Sequence, residues 1–370
     1  MKLSARSIAL IIPLLLTAIG LCNCGSTSSA GSTSFAYLEN SAGGYKSNAA
    51  VAAIAGFTRG RKTASGKDLK IRFHKTHMSA SGSVNLAAGT VDAYLMDTRT
   101  GVAAKLSSQS AMYNGIQLSP DGSKAVFAAF DSAGFSQIFI ASVADFNHPA
   151  QLTASATADH LCPRFSPDAA TIVSTVFTED ANSQAVLAIS TIPAAGGTET
   201  VIDSSGLQAV TPVFTPDGKK IVFTAAAGSS ASRADTGYID IYVMNLDGTG
   251  VTKLSGSTGT YADVLPSVSA DGTKILFTRI TPSSGGKGYV SNIYVMGMAG
   301  DTSANPATQL TTDGYSWNAT YVGNTITFAS MKNSPATFTD NIYEMDAAGA
   351  NQTRLTNSSS EEAFNVFSAF

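Results

Sequence analysis

Thr215-Pro216-Asp217-Gly218, running into Lys220-Ile221-Val222-Phe223, is a turn followed by an apolar strand. Proline presets φ near −65°, aspartate can hydrogen-bond the backbone two residues on, and glycine accepts a positive φ. The pattern recurs as Ser119-Pro120-Asp121-Gly122, Ser166-Pro167-Asp168-Ala169 and Ser269-Ala270-Asp271-Gly272, with a worn copy at Val322-Gly323-Asn324. The aspartates stand 47, 49 and 54 residues apart. Each copy runs into a strand: Ala125-Val126-Phe127, Thr171-Ile172-Val173, Ile275-Leu276-Phe277 and Ile326-Thr327-Phe328. Such a turn, flanked by alternating apolar residues, is a hairpin.

A second element repeats in phase: Asp92-Ala93-Tyr94-Leu95-Met96, Gln137-Ile138-Phe139-Ile140, Asp240-Ile241-Tyr242-Val243-Met244, Asn292-Ile293-Tyr294-Val295-Met296 and Asn341-Ile342-Tyr343-Glu344-Met345. The gap between positions 139 and 242 is two periods, and Ala185-Val186-Leu187-Ala188-Ile189 sits where the intervening degenerate copy is needed. Most copies are followed by a turn and then Leu-Ser or Leu-Thr, as at Leu254-Ser255 and Leu310-Thr311. Each period therefore holds four short strands, and a four-stranded unit of ~45–50 residues is a propeller blade. Five clear copies and the degenerate one predict an all-β, six-bladed β-propeller over residues 35–370. Phe35-Ala36-Tyr37-Leu38 has no turn motif before it, and Asn365-Val366-Phe367-Ser368 resembles a strand leading into a turn. Pairing of the N- and C-terminal strands would close one blade.

Thr211-Pro212-Val213-Phe214-Thr215-Pro216-Asp217-Gly218, with Lys220 to Phe223, Asp240 to Met244 and Leu254-Ser255, resembles the WD-like repeat of TolB-type propellers. The resemblance spans roughly residues 35–370. It departs at Ala169, which replaces the turn glycine, at the tyrosine lost from the same copy, and in the last copy. TolB also carries a separate N-terminal α/β domain, for which this sequence has no room. The resemblance implies the fold, and more weakly a partner-binding role.

Before the repeats, Lys2 and Arg6 precede an uncharged, mostly apolar run from Ile8 to Leu21. As a helix it would span roughly 21 Å, short of the ~30 Å hydrocarbon core. Residues 1–23 therefore read as a signal peptide. Leu21-Cys22-Asn23-Cys24-Gly25-Ser26 resembles a bacterial lipobox, with Cys24 the expected lipidation site and Cys22 the alternative. Residues 24–34 would be the lipidated cysteine and a flexible Ser/Gly tether of roughly 17–19 Å reach. The expectation is a bacterial cell-envelope protein, in the periplasm or at the cell surface, held to the outer membrane by its lipid.

Charged residues make up only 13% of the chain, and acids outnumber bases 26 to 23. That balance disfavours a nucleic-acid partner. No G-x-S-x-G elbow occurs, so no hydrolase nucleophile is indicated. His74 and His77 have metal-ligand spacing, but Leu69, Ile71 and Phe73 alternate with polar residues in strand periodicity, and no acid or cysteine cluster completes a shell. No catalytic residue, metal or cofactor is expected, and the protein reads as non-enzymatic and monomeric.

Two surface features remain. Arg59, Arg61, Lys62, Lys67, Lys70, Arg72 and Lys75 are opposed only by Asp68, a candidate contact for anionic lipid or an acidic polymer. The residues just before the innermost strands would gather at one mouth of the ring: Tyr113, Asn114, His160, Tyr261, Asp263, Tyr315, Trp317, Glu362 and Phe364. Tyrosine and tryptophan combine apolar area with a polar tip. This mouth is the candidate site for a protein or peptide partner; a glycan-binding or surface-sensing module and an accessory propeller for a hydrolase are the alternatives. Cys162, near the channel, reads as a buried thiol.

Overall fold

The computed structural model describes residues 34–40, 91–97, 102–106, 113–132, 135–179, 185–202, 206–226, 239–256, 261–282, 289–333 and 341–356. Their strands form six antiparallel sheets. The first has three strands, β1 (Ser34–Asn40), β2 (Val91–Asp97) and β3 (Val102–Lys105). Five four-stranded blades follow. Blade 1 is β4 (Tyr113–Leu118), β5 (Lys124–Phe130), β6 (Ser136–Ser142) and β7 (Asp145–Gln151). Blade 2 is β8 (Asp159–Phe165), β9 (Thr171–Glu179), β10 (Ala185–Pro193) and β11 (Thr200–Ile202). Blade 3 is β12 (Gln208–Phe214), β13 (Lys220–Ala226), β14 (Ile239–Asn245) and β15 (Thr252–Lys253). Blade 4 is β16 (Ala262–Val268), β17 (Lys274–Pro282), β18 (Tyr289–Gly297) and β19 (Thr308–Gln309). Blade 5 is β20 (Ser316–Val322), β21 (Thr325–Ser330), β22 (Asn341–Asp346) and β23 (Thr353–Arg354). The first strands of successive blades, β4, β8, β12, β16 and β20, pack against one another in order and form the inner wall.

The all-β propeller is as the repeats predict, but the blade count is five and not six. Tyr37 stands opposite Tyr94 as Phe127 stands opposite Phe139, so β1 holds the second-strand position of a blade. The repeat motifs lie on the second to fourth strands, and a three-stranded sheet therefore scores as a full copy in the sequence. Asn365 to Ser368, expected to complete that sheet, lie outside the described residues.

Each repeated motif has a structural job. In the turns, the hydroxyls of Ser119, Ser166, Thr215 and Ser269 donate to Asp121, Asp168, Asp217 and Asp271, each at 2.6 Å. The same hydroxyls accept the N–H five residues on, such as Lys124 and Lys274 at 3.0 and 2.9 Å. Gly122, Gly218 and Gly272 have φ of 67 to 72°, and Ala169 fills the same left-handed position at 57°.

The aromatic of the third strand lies on the phenylalanine of the second: Phe127–Phe139, Phe223–Tyr242, Phe277–Tyr294 and Phe328–Tyr343 have ring centroids 5.6–5.9 Å apart. The degenerate copy is β10, and its equivalent pair is Ser174 opposite Ser190, hydroxyls 3.0 Å apart. In blades 1, 3, 4 and 5 the Leu-Ser or Leu-Thr hydroxyl closes the sheet by accepting a third-strand N–H. Thr153, Ser255, Thr311 and Thr356 accept from Ile138, Ile241, Ile293 and Ile342, all at 2.9 Å.

The apolar core lies between blades. Val173, Ile189 and Ile202 of blade 2 pack with Phe214, Ile221, Phe223 and Met244 of blade 3. Val222, Ile241 and Val243 of blade 3 meet Val268, Ile275 and Phe277 of blade 4, and Leu276 and Ile293 of blade 4 meet Ile326 and Phe328 of blade 5. Each such buried side chain is worth roughly 1.5–3 kcal/mol relative to exposure.

Candidate partner-binding face and the charged joint beside it

Every inner strand of the five blades carries a register shift, at Asn114/Ile116, Leu161/Arg164, Val210/Val213, Val264/Ser267 and Trp317/Thr320. In the last four, the first residue inside the shift adopts positive φ: Cys162 (55°), Thr211 (51°), Leu265 (59°) and Asn318 (57°). Proline follows in three of them, Pro163, Pro212 and Pro266, where no N–H is needed for the ladder. Positive φ is costly for a side chain such as threonine, and the neighbouring blade holds it. Thr211 N–H donates to Thr175 Oγ1 of blade 2 at 3.0 Å, Leu265 N–H to Thr224 Oγ1 of blade 3 at 3.2 Å, and Asn318 N–H to Thr278 Oγ1 of blade 4 at 3.0 Å. The bulges thus rivet blades 3, 4 and 5 each to the blade before it.

The bulge also decides what the mouth presents. Tyr315 is 41% exposed, its N–H held by Asp313 at 2.7 Å. Tyr261 is half-buried and its hydroxyl donates to the Gly256 carbonyl at 3.0 Å. Trp317 is 8% exposed, while Asp263 and His160 are buried. Tyr113 and Asn114 are the first residues of β4. Glu362 and Phe364, the basic residues from Arg59 to Lys75, and Cys22 and Cys24 lie outside the described residues. Cys162 is buried and disulfide-bonded in this structure, which corrects the reading of it as a thiol.

Asp263 belongs to a charged joint between blades 3 and 4 that sequence reading missed. Arg279 of β17 grips it with two hydrogen bonds of 2.7 and 2.8 Å and reaches Asp301 at 2.9 Å. The guanidinium lies 4.0 Å from the Tyr261 ring and 4.7 Å from that of Tyr294. Ser255 donates to Asp240 at 3.1 Å, and its hydroxyl also reaches Asp263. Lys253 pairs with Asp240 from the outer strand. Burial raises the Asp263 carboxyl to about 6, against the hydrogen bonds and charge of Arg279. Burial disfavours the Arg279 cation, but Asp263 and Asp301 outweigh it and raise its pKa. The one signal available beforehand was an arginine beginning to break the apolar run Ile275-Leu276-Phe277.

His160 has its Nε2 3.1 Å from the Glu199 carboxylate. Burial opposes ionisation of Glu199, and hydrogen bonds from His160 and Ser190 with the His160 charge hold its pKa below the ordinary value. At the opposite, turn-lined end, a cleft of about 540 Å³ between blades 3 and 4 is lined by Pro216, Asp217, Lys220, Val243, Asp271 and Met298, none of them a predicted site residue. Among the described residues, no group of three or more His, Cys, Asp or Glu side chains is placed to hold a metal.

Solved structures share this fold. A putative TolB from Agrobacterium tumefaciens is similar at 19% identity and TM-score 0.55, covering 70% of this chain and 86% of that one. TolB from Acinetobacter baumannii is similar at 18% identity and TM-score 0.56, covering 73% of this chain and 61% of that one. Kuenenia stuttgartiensis hydrazine synthase is similar at 13% identity and TM-score 0.61, over 89% of this chain and 45% of that one. At these identities the likeness is one of fold. No curated protein matches the chain in sequence. The family profile described as the TolB beta propeller domain matches residues 144–367, more than half of the sequence and four of the five blades, and the chain belongs to that family.

Proposed function

We propose that the protein is a non-enzymatic propeller of the bacterial cell envelope that binds a protein or peptide partner at the mouth formed by Tyr261 and Tyr315. The observation that carries this reading is Tyr315, a large aromatic 41% exposed at the entry to the inner wall, in a chain of the TolB propeller family. Exposed tyrosines of this kind anchor interfaces through apolar area and a polar tip. Asp263 holds Arg279 against the Tyr261 ring, and because Trp317 and Asp263 are both buried, their substitution would disturb folding before it disturbed contact. Photocrosslinking from position 315, followed by mass spectrometry, tests the reading. Tyr315→Ala should reduce the crosslinked species formed from position 261 at least tenfold, and unchanged capture would remove the mouth from consideration.

Cys24 is the proposed lipid anchor, placing a monomer at the outer membrane in the periplasm or at the surface. Several acyl chains at ~0.8 kcal/mol per buried CH₂ make such an anchor effectively permanent. Cys24→Ser should move the protein from the membrane to the soluble fraction. The segment from Arg59 to Lys75 is proposed to touch anionic lipid, and deletion of residues 57–78 should weaken binding to anionic vesicles.

A further inference from the structure

The joint between blades 3 and 4 is one hydrogen short. Asp240 of β14 and Asp263 of β16 are both buried and flank the Ser255 hydroxyl. That hydroxyl has one hydrogen, which goes to Asp240, and one of its two lone pairs is taken by the Ile241 N–H at 2.9 Å, leaving the other open to a donor. A hydroxyl can donate to only one of two carboxylates. Charge is short in the same direction. Asp240, Asp263 and Asp301 face Arg279 and Lys253, so three carboxylates meet two cations. Tyr261 and Tyr294 close the joint over Arg279. Among the described residues these are the charged and titratable groups that face Asp263 from β14, β15, β17, β18 and the segment after it.

We propose that this joint is a proton-operated latch: uptake of one proton by Asp263 supplies the missing hydrogen to Ser255, cancels the surplus charge, and tightens blade 4 against blade 3. Arg279 remains stacked beneath Tyr261, so the mouth keeps its shape while the joint stiffens. The inference does not depend on what the mouth binds.

The sign follows from the direction of the shift. Asp263 is raised from 3.8 to about 6 by burial. An acid raised on folding stabilises the native state at low pH and loses that contribution as pH climbs through its folded value. Two pKa units correspond to roughly a hundredfold in the folding equilibrium constant. Urea unfolding of the full chain between pH 8 and pH 4.5 reads it. The wild type should gain most of that factor on acidification, and Asp263→Asn should flatten the gain. Ser255→Ala, which removes the hydroxyl the proton serves, should shift the midpoint of the response. Should Asp263→Asn fail to fold, carbon-13 carboxyl titration of aspartate-labelled wild type replaces it, with one resonance expected to titrate near pH 6. A wild-type response equal to that of Asp263→Asn, or no carboxyl titrating above pH 5, overturns the latch.

Discussion

Thr224→Val tests whether the bulge rivets hold the ring together. Thr224 is buried, its Oγ1 accepts the Leu265 N–H of the next blade at 3.2 Å, and it receives the Thr211 hydroxyl at 2.9 Å. Replacing the hydroxyl by a methyl keeps the volume but leaves a buried N–H at a left-handed residue with no acceptor, and takes the acceptor from Thr211. A buried donor left unmade costs about 1–3 kcal/mol, and a lost neutral hydrogen bond about 0.5–1.5 kcal/mol. Thr224→Val should therefore destabilise by about 2–4 kcal/mol. Thr224→Ser is the control: it keeps the hydroxyl and loses one methyl, worth ~0.8 kcal/mol. Equilibrium urea denaturation with linear extrapolation measures both. If the valine variant lies within ~0.5 kcal/mol of wild type, or if the serine variant falls as far, the rivet reasoning is wrong.

Other outcomes follow from the same geometry. Arg279→Met leaves Asp263 buried beside Asp240 without its cation and should cost about 3–5 kcal/mol, with Arg279→Met/Asp263→Leu recovering most of it in a double-mutant cycle. Ala169→Gly relieves the copy of the Ser/Thr-Pro-Asp turn that holds a side chain at φ 57° and should stabilise by about 1 kcal/mol, read as a raised thermal midpoint. Asp121 and Asp271 are held down at about 2 by the Ser119 and Ser269 hydroxyls and by backbone N–H groups. Carboxylates lowered on folding contribute stability above 3.8 that disappears as pH falls through about 2, opposite in sign to Asp263. Urea midpoints should therefore peak at roughly pH 4–5, and Asp271→Asn should soften only the acid limb.

The turn, the strand pairing and the propeller class were legible because each rests on residues close in sequence. A hydroxyl two residues before an aspartate, a glycine at a left-handed position and a phenylalanine opposite a tyrosine are local signatures, and repetition made them unmistakable. The blade count was over-read by one, because the motifs mark second to fourth strands and are silent on the first. The mouth divided in the same way. Tyr315 and Trp317 are two residues apart, and simple alternation gives them one face. The register shift between Trp317 and Thr320 and the packing of β20 separate them, one open and the other 8% exposed.

By itself, then, the sequence determined an all-β ring of repeated sheets and the chemistry of every turn, since those depend on φ preferences and on partners within one hairpin. Tertiary structure alone decided that Asp263 is buried under Arg279, that Thr224 serves a backbone N–H 41 residues away, and that Asp240 and Asp263 share one hydroxyl. Asp263 and Arg279 face each other across one hairpin of blade 4, whereas Thr224 and Leu265, like Asp240 and Asp263, come from different blades, and only packing of one blade on the next brings them together.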